Sequence, residues 1–343
     1  MTGVQTCALP ILARAGEHTA AIDILKDLSR QYQDNRVYLY DYIAVLGWAE
    51  RNDEVLSLRP AVDIESVPTY VLETFGRSAR NLENYTEAVK YYRLATQRSP
   101  GRVESAIGLA LSHAENGEAN KAIAILKHVE KRNPQRKDIY EAIAYSNQLI
   151  GNQFGALKGY QDTLLIDPTN REAQRQRILI TAEIGAPHLA IAMAQDTPGV
   201  LSADEFETIT GIQAKQSILW GDIYNSSSNR YQDVDAAIEL LQDQLKRLEE
   251  RGYKDHSLYK EAQNDLIIAL RDHQRLEEVI SLYQNQVDEN AEISESTLLA
   301  AADAYMHKGQ PEKARDIYLI LLERNPGDFD TSIALFYSYF DIG

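Results

Sequence analysis

The sequence has one cysteine, Cys7, and none after it, so composition suits an oxidising or a reducing compartment equally. No CxxC pair, glycine-rich phosphate loop or GxSxG elbow occurs. The seven histidines, at 18, 113, 128, 188, 256, 273 and 307, form no HxxxH or HxxEH pair, so metal-ligand spacing is missing. His273, after Arg271-Asp272, reads as a turn residue, and Glu249-Glu250 and Glu277-Glu278 read as solvated helix faces. No window approaches the ~18 consecutive apolar residues of a membrane-spanning helix. Cationic residues are scarce: 35 Lys and Arg against 51 Asp and Glu give a formal charge of −16, which argues against nucleic acid and for a cationic or neutral partner. An enzyme, a metal site and a cofactor therefore have no support. With 44% hydrophobic and 25% charged residues, the chain suits stacked amphipathic helices and is too apolar for disorder.

What the sequence does have is a period. Pro100, Pro134 and Pro168 are 34 residues apart; so are Gly117, Gly151 and Gly185, and so are Ala88, Ala122, Ala156 and Ala190. Each class has a physical role: a small residue where two helices cross closely, a Gly ending the first helix, a Pro ending the second. In residues 69–100 these are Gly76 and Ala88 at the crossing, Tyr92 and Ala95 on the second helix, and Pro100 at the stop. The pattern resembles the tetratricopeptide repeat, and the resemblance implies an all-α, right-handed superhelical solenoid of about eight helix pairs.

In chain order, residues 1–11 share none of this periodicity and resemble a translated sequencing adaptor, so they are expected to be an artefact and not fold. The solenoid is expected over 12–343. It begins with a degenerate and a shortened repeat, has regular repeats over 69–196, an irregular helical insertion over 199–255 with a polar loop at 225–229, and resumes over 258–326. There Ala302, Ala314 and Pro326 fall at the offsets of Gly76, Ala88 and Pro100. A last helix, 329–341, lacks a partner, and the natural protein is expected to continue beyond both ends.

In tetratricopeptide folds the first helix of each repeat lines a concave surface, and the resemblance places Tyr70, Glu73, Arg77, Arg80, Glu104, Asp138, Glu141, Tyr145, Gln148, Glu172 and Arg175 there. Carboxylates outnumber cations, and Arg77, Arg80 and Arg175 are too scattered to form the carboxylate clamp of chaperone-binding members. These positions read either as a binding groove or as ordinary solvent-facing helix positions.

Three segments carry a narrower resemblance: YDYIAVLGWAERNDEVLSL at 40–58, AKQSILWGDIYNSSSNRYQDVDAAI at 214–238, and TLLAAADAYMHKGQPEKARDIYLILLERNP at 297–326. They are similar to the periplasmic repeat region of the PgaA/HmsH-like exporters of poly-β-1,6-N-acetyl-D-glucosamine. The resemblance implies a periplasmic array preceding an outer-membrane β-barrel that is absent here, with the partly de-N-acetylated polysaccharide and its deacetylase as partners. Glu73, Glu104, Asp138, Glu141 and Glu172 would then face ammonium groups, and Tyr70 and Tyr145 sugar rings. The alternatives are a generic scaffold docking peptide segments and an assembly factor for cell-envelope machinery.

Overall fold

The computed structural model describes residues 18–223, 230–288 and 293–343. The adaptor-like segment 1–11 and the polar loop 225–229 lie outside them. Among the described residues all regular structure is helical. The chain divides into two compact units, one ending at Ile180 and the other beginning at Thr181.

The first unit opens with α1 (His18–Gln31), α2 (Arg36–Trp48) and the short α3 (Asn52–Ser57). Three regular pairs follow: α4 (Thr69–Asn81) with α5 (Tyr85–Arg98), α6 (Val103–His113) with α7 (Ala119–Glu130), and α8 (Lys137–Leu149) with α9 (Gln153–Ile166). α10 (Arg171–Glu183) starts the next repeat. Local chemistry sets these limits. Asn84 and Asn152 cap α5 and α9 by accepting the backbone N–H of Glu87 and Gly155 at 3.4 and 3.1 Å. Pro100 and Pro168 arrive two residues past the second helix of their repeats, and Pro134 four residues past α7.

The turn between paired helices needs a left-handed residue. Gly117, Gly151, Gly185 and Gly309 supply φ of 81°, 70°, 92° and 65°. Glu83 occupies the same place in the first regular repeat, with φ 59° and a β-carbon to accommodate.

Burial matches the repeat roles. Ala88, Ala122 and Ala156 have 0% exposure. Tyr92 lies between two glycines: a β-carbon at Gly76 would sit 2.8 Å from its ring, and one at Gly108 2.2 Å. The core of the opening helices and first regular pair includes Ile43, Leu46, Val71, Leu72 and Phe75, with the Phe75 and Tyr91 rings 5.5 Å apart. Leu126 and Ile139 carry the core on through α7 and α8.

In the second unit, α11 (Pro187–Asp196) precedes two 21-residue helices, α12 (Ala203–Ile223) and α13 (Arg230–Glu250). Both lie within residues 199–255. Then come α14 (Ser257–Asp272), α15 (Leu276–Asp288), α16 (Glu295–His307), α17 (Pro311–Arg324) and α18 (Phe329–Ile342). Ala190, Ala302 and Ala314 are again fully buried, and Pro326 follows α17. α18 packs on α17 with Thr331 and Ser338 buried, while Phe336 and Phe340 stay exposed. No described helix is long and apolar enough to cross a membrane.

Two substitutions test this register. Ala122→Leu forces two packed helices apart and should destabilise by about 1 to 3 kcal/mol in chemical denaturation. Glu83→Gly relieves a left-handed, β-carbon-bearing residue and should stabilise by about 0.5 to 1 kcal/mol. Opposite signs would mean that the crossing and the turn have been placed wrongly.

Candidate ligand site of the first unit

A carboxylate near a repeat interface in so acidic a chain needs a donor, and in three repeats the first unit supplies one from the residue just before the first helix. Arg102, before α6, sets its Nε 2.6 Å from Glu73 Oε1, and Ser105 donates to the same oxygen at 2.5 Å. Glu73 is thereby buried, 7% exposed. Arg136, before α8, grips Asp138 through Nε and Nη2 at 3.1 and 2.5 Å and reaches back to Glu104 at 2.9 Å. Asn170, before α10, donates to Glu141 Oε1 at 2.6 Å. These three positions keep the 34-residue step.

The pairing moves titrations in opposite directions. Glu104 is held below the usual carboxylate range, first by its own backbone N–H and then by Arg136. Asp41 and Glu115 are pushed up by burial, opposed at Asp41 by the Tyr70 hydroxyl and at Glu115 by Arg80 and Tyr145.

Two cavities open beside these contacts. The first, about 420 Å³, is lined by Asp41, Trp48, Tyr70, Glu73, Arg77 and Arg102, among others. The second, about 650 Å³, is lined by Glu141, Tyr145, Gln148, Tyr160, Asn170 and Gln176, with Leu149, Glu172 and Ala173. They are equivalent in register: Glu73 and Glu141, Arg77 and Tyr145, and Arg102 and Asn170 are each 68 residues apart, two repeats. At the intermediate repeat the corresponding residues are Ile107 and Leu111.

In the first cavity Asp41 stands apart from the other carboxylates. It accepts the Tyr70 hydroxyl at 3.2 Å, and among the described residues no Lys or Arg pairs with it. The Tyr70 phenol is raised in turn, by burial first and by Asp41 second.

The expected groove residues therefore sort into groups. Tyr70, Glu73 and Arg77 come together around the first cavity, and Glu141, Tyr145, Gln148 and Glu172 around the second. Glu104 and Asp138 share Arg136 and line neither. Arg175 lies against Glu172 at 3.3 Å, and Arg80 against Glu115 at 3.1 Å, where Tyr145 also donates at 3.3 Å. The sequence reading did not select Asp41, Trp48, Arg102, Arg136, Asn170, Tyr160 or Gln176. Arg102, Arg136 and Asn170 carried a readable signal, the same 34-residue step one position before each helix. Among the described residues no cluster of three or more His, Cys, Asp or Glu could hold a metal. His273 sits at the C-terminal end of α14 with Nε2 3.0 Å from Asp235.

The paired helices are of tetratricopeptide-repeat type: tetratricopeptide-repeat family models match residues 81–144 and 296–328. Along 97% of its length the chain is similar, at 24% identity, to the poly-beta-1,6-N-acetyl-D-glucosamine export protein of Escherichia coli K12, and equally to that of E. coli O157:H7. It spans 40% of the length of these relatives. Solved structures similar to it include a tetratricopeptide repeat protein from Parabacteroides merdae, 11% identical with a TM-score of 0.43, covering 79% of this chain and 98% of that one. A MamA structure, 16% identical with a TM-score of 0.40, covers 50% and 96% respectively.

The Arg102–Glu73 pair is checked by a double-mutant cycle. Arg102→Ala leaves a nearly buried carboxylate without its cation, so the double variant Glu73→Ala,Arg102→Ala should lose less stability than the sum of the two single variants, with a coupling of about 1 to 2 kcal/mol. Purely additive effects would reduce the contact to a surface coincidence.

Proposed function

We propose that the chain is a non-catalytic, periplasmic binding region of an outer-membrane exopolysaccharide exporter. Its first unit holds partly de-N-acetylated poly-β-1,6-N-acetyl-D-glucosamine, and the polysaccharide deacetylase is a second partner. The observation that carries this reading is Asp41: a carboxylate with no Lys or Arg partner among the described residues, beside Trp48 and Tyr70, in a cavity of about 420 Å³. A glucosamine residue brings an ammonium group for the carboxylate and a ring face for an aromatic side chain. The other groove carboxylates are less suited: Glu73, Glu104, Asp138 and Glu172 are already paired with arginines in the free chain, and one oxygen of Glu141 is held by Asn170. Similarity to the export proteins along nearly the whole chain supports the same ligand.

Calorimetric titration of oligomers of equal length tests this. The partly deacetylated oligomer should bind more tightly than the fully acetylated one, and its advantage should shrink with added salt, because exposed charges are screened within about 8 Å at physiological ionic strength. Asp41→Asn should reduce affinity for the partly deacetylated oligomer by roughly threefold to tenfold. Equal affinity for both oligomers, in the intact chain and the variant, would hand the site to the alternative of a scaffold that docks peptide segments.

The pH dependence follows in sign. Burial raises Asp41, so its ionised form is disfavoured by folding, and protonation removes that cost as pH falls through the raised value. Binding goes the other way: a protonated Asp41 cannot pair with ammonium, so affinity should fall while pH is still above the usual carboxylate range. Glu104, held low, contributes stability that is present above the unfolded carboxylate pKa and lost only as pH falls through its depressed value. Acid should therefore weaken ligand binding before it weakens the fold, as parallel titrations of affinity and of circular dichroism can measure.

A further inference from the structure

We infer that the second cavity, at Glu141, Tyr145, Gln148, Leu149, Tyr160 and Gln176, reads acetamido groups, so that the first unit senses both substituents of a partly acetylated chain. This inference rests on the polysaccharide reading above. The two cavities share a register but differ in chemistry: where the first has Arg102, the second has Asn170, and where the first has Arg77, the second has Tyr145. Its polar lining is a chain of amides with a fixed direction. The Tyr160 hydroxyl donates to Gln148 Oε1 at 2.7 Å, which turns the Gln148 nitrogen toward Gln176, whose Oε1 it reaches at 3.0 Å. The Gln176 nitrogen in turn donates to Glu172 Oε1 at 2.8 Å.

Each of these two amide nitrogens has one N–H committed and a second to offer, so the cavity presents neutral donors suited to a carbonyl oxygen. Glu141 has Oε1 engaged by Asn170 and keeps Oε2 as an acceptor for an amide N–H. Leu149, 47% exposed, offers an apolar surface to a methyl group. Carbonyl, N–H and methyl are the three parts of an acetamido substituent. An ammonium group could pair with Glu141 but has no acceptor to offer the two glutamine N–H donors, which an acetamido carbonyl would satisfy. A polymer crossing both cavities would thus meet a charge reader at Asp41 and an amide reader two repeats on.

The test uses fully acetylated and fully deacetylated oligomers of equal length against the intact chain, Gln176→Leu and Asp41→Asn. Gln176→Leu keeps the Tyr160–Gln148 bond and should lower affinity for the acetylated oligomer by roughly threefold to tenfold, with affinity for the deacetylated oligomer unchanged. Asp41→Asn should do the converse. Leu149→Ser, at an exposed position, is the companion variant and should reproduce the loss for the acetylated oligomer if Gln176→Leu fails to fold. If the intact chain binds both oligomers but these second-cavity variants lower both affinities equally, or neither, the amide reading is overturned while the polysaccharide reading stands. If the intact chain binds neither oligomer, both readings fall together.

Discussion

The three repeats that follow the first regular one are each fastened to the repeat before by a polar side chain just ahead of the first helix. Arg102 reaches back to Glu73, Arg136 to Glu104 and Asn170 to Glu141. Stacked helix pairs bury apolar surface without specifying where along the groove face a neighbour sits. A directional contact with one carboxylate on the preceding helix supplies that registration. It also lets an acidic chain stack without leaving buried carboxylates unpaired: Glu73, 7% exposed, carries two donors on one oxygen. The two long helices of the second unit use the same device at longer range, where Arg247 binds both oxygens of the buried Glu207 at 2.8 and 2.9 Å and Gln244 donates to its backbone carbonyl.

Once the stack has consumed most of the groove carboxylates, net charge is a poor guide to the site. A formal charge of −16 describes the whole chain, whereas a ligand meets only those groups whose partners it can replace or supplement. Asp41 meets that condition. Its neighbour Trp48 and its donor Tyr70 come from α2 and α4, so the site forms where the shortened second repeat meets the first regular one. Desolvation makes the ionised form of Asp41 unfavourable in the free chain, a cost that pairing with an ammonium group would offset.

The fold was legible because it is periodic. A small residue at the helix crossing and a left-handed turn residue recur every 34 positions, and the buried Ala88, Ala122 and Ala156 and the positive φ of Gly117, Gly151 and Gly185 occupy those places. Glu83 falls at the offset of Gly309 and one 34-residue step before Gly117, so register places it in the turn although its residue type does not announce a left-handed backbone. The candidate site was legible in part. Offsets along the first helix found Tyr70, Glu73, Glu141 and Tyr145, but they could not tell a carboxylate held by the next repeat from one left to a ligand, because the holder lies about 30 residues away. Asp41 and Trp48 lie ahead of residue 69, where the regular offsets begin, and the site straddles that limit.

The central claim is that a sugar polymer is held at the α2–α4 cavity, and Trp48 can report on it directly. The chain has two tryptophans, so Trp220→Phe leaves Trp48 as the sole indole. Fluorescence titration of that variant with partly deacetylated oligomer should give a saturable change in Trp48 emission with the affinity found by calorimetry, and Asp41→Asn in the same background should weaken it. Calorimetric binding with Trp48 emission unchanged to saturation would place the ligand elsewhere and contradict the account.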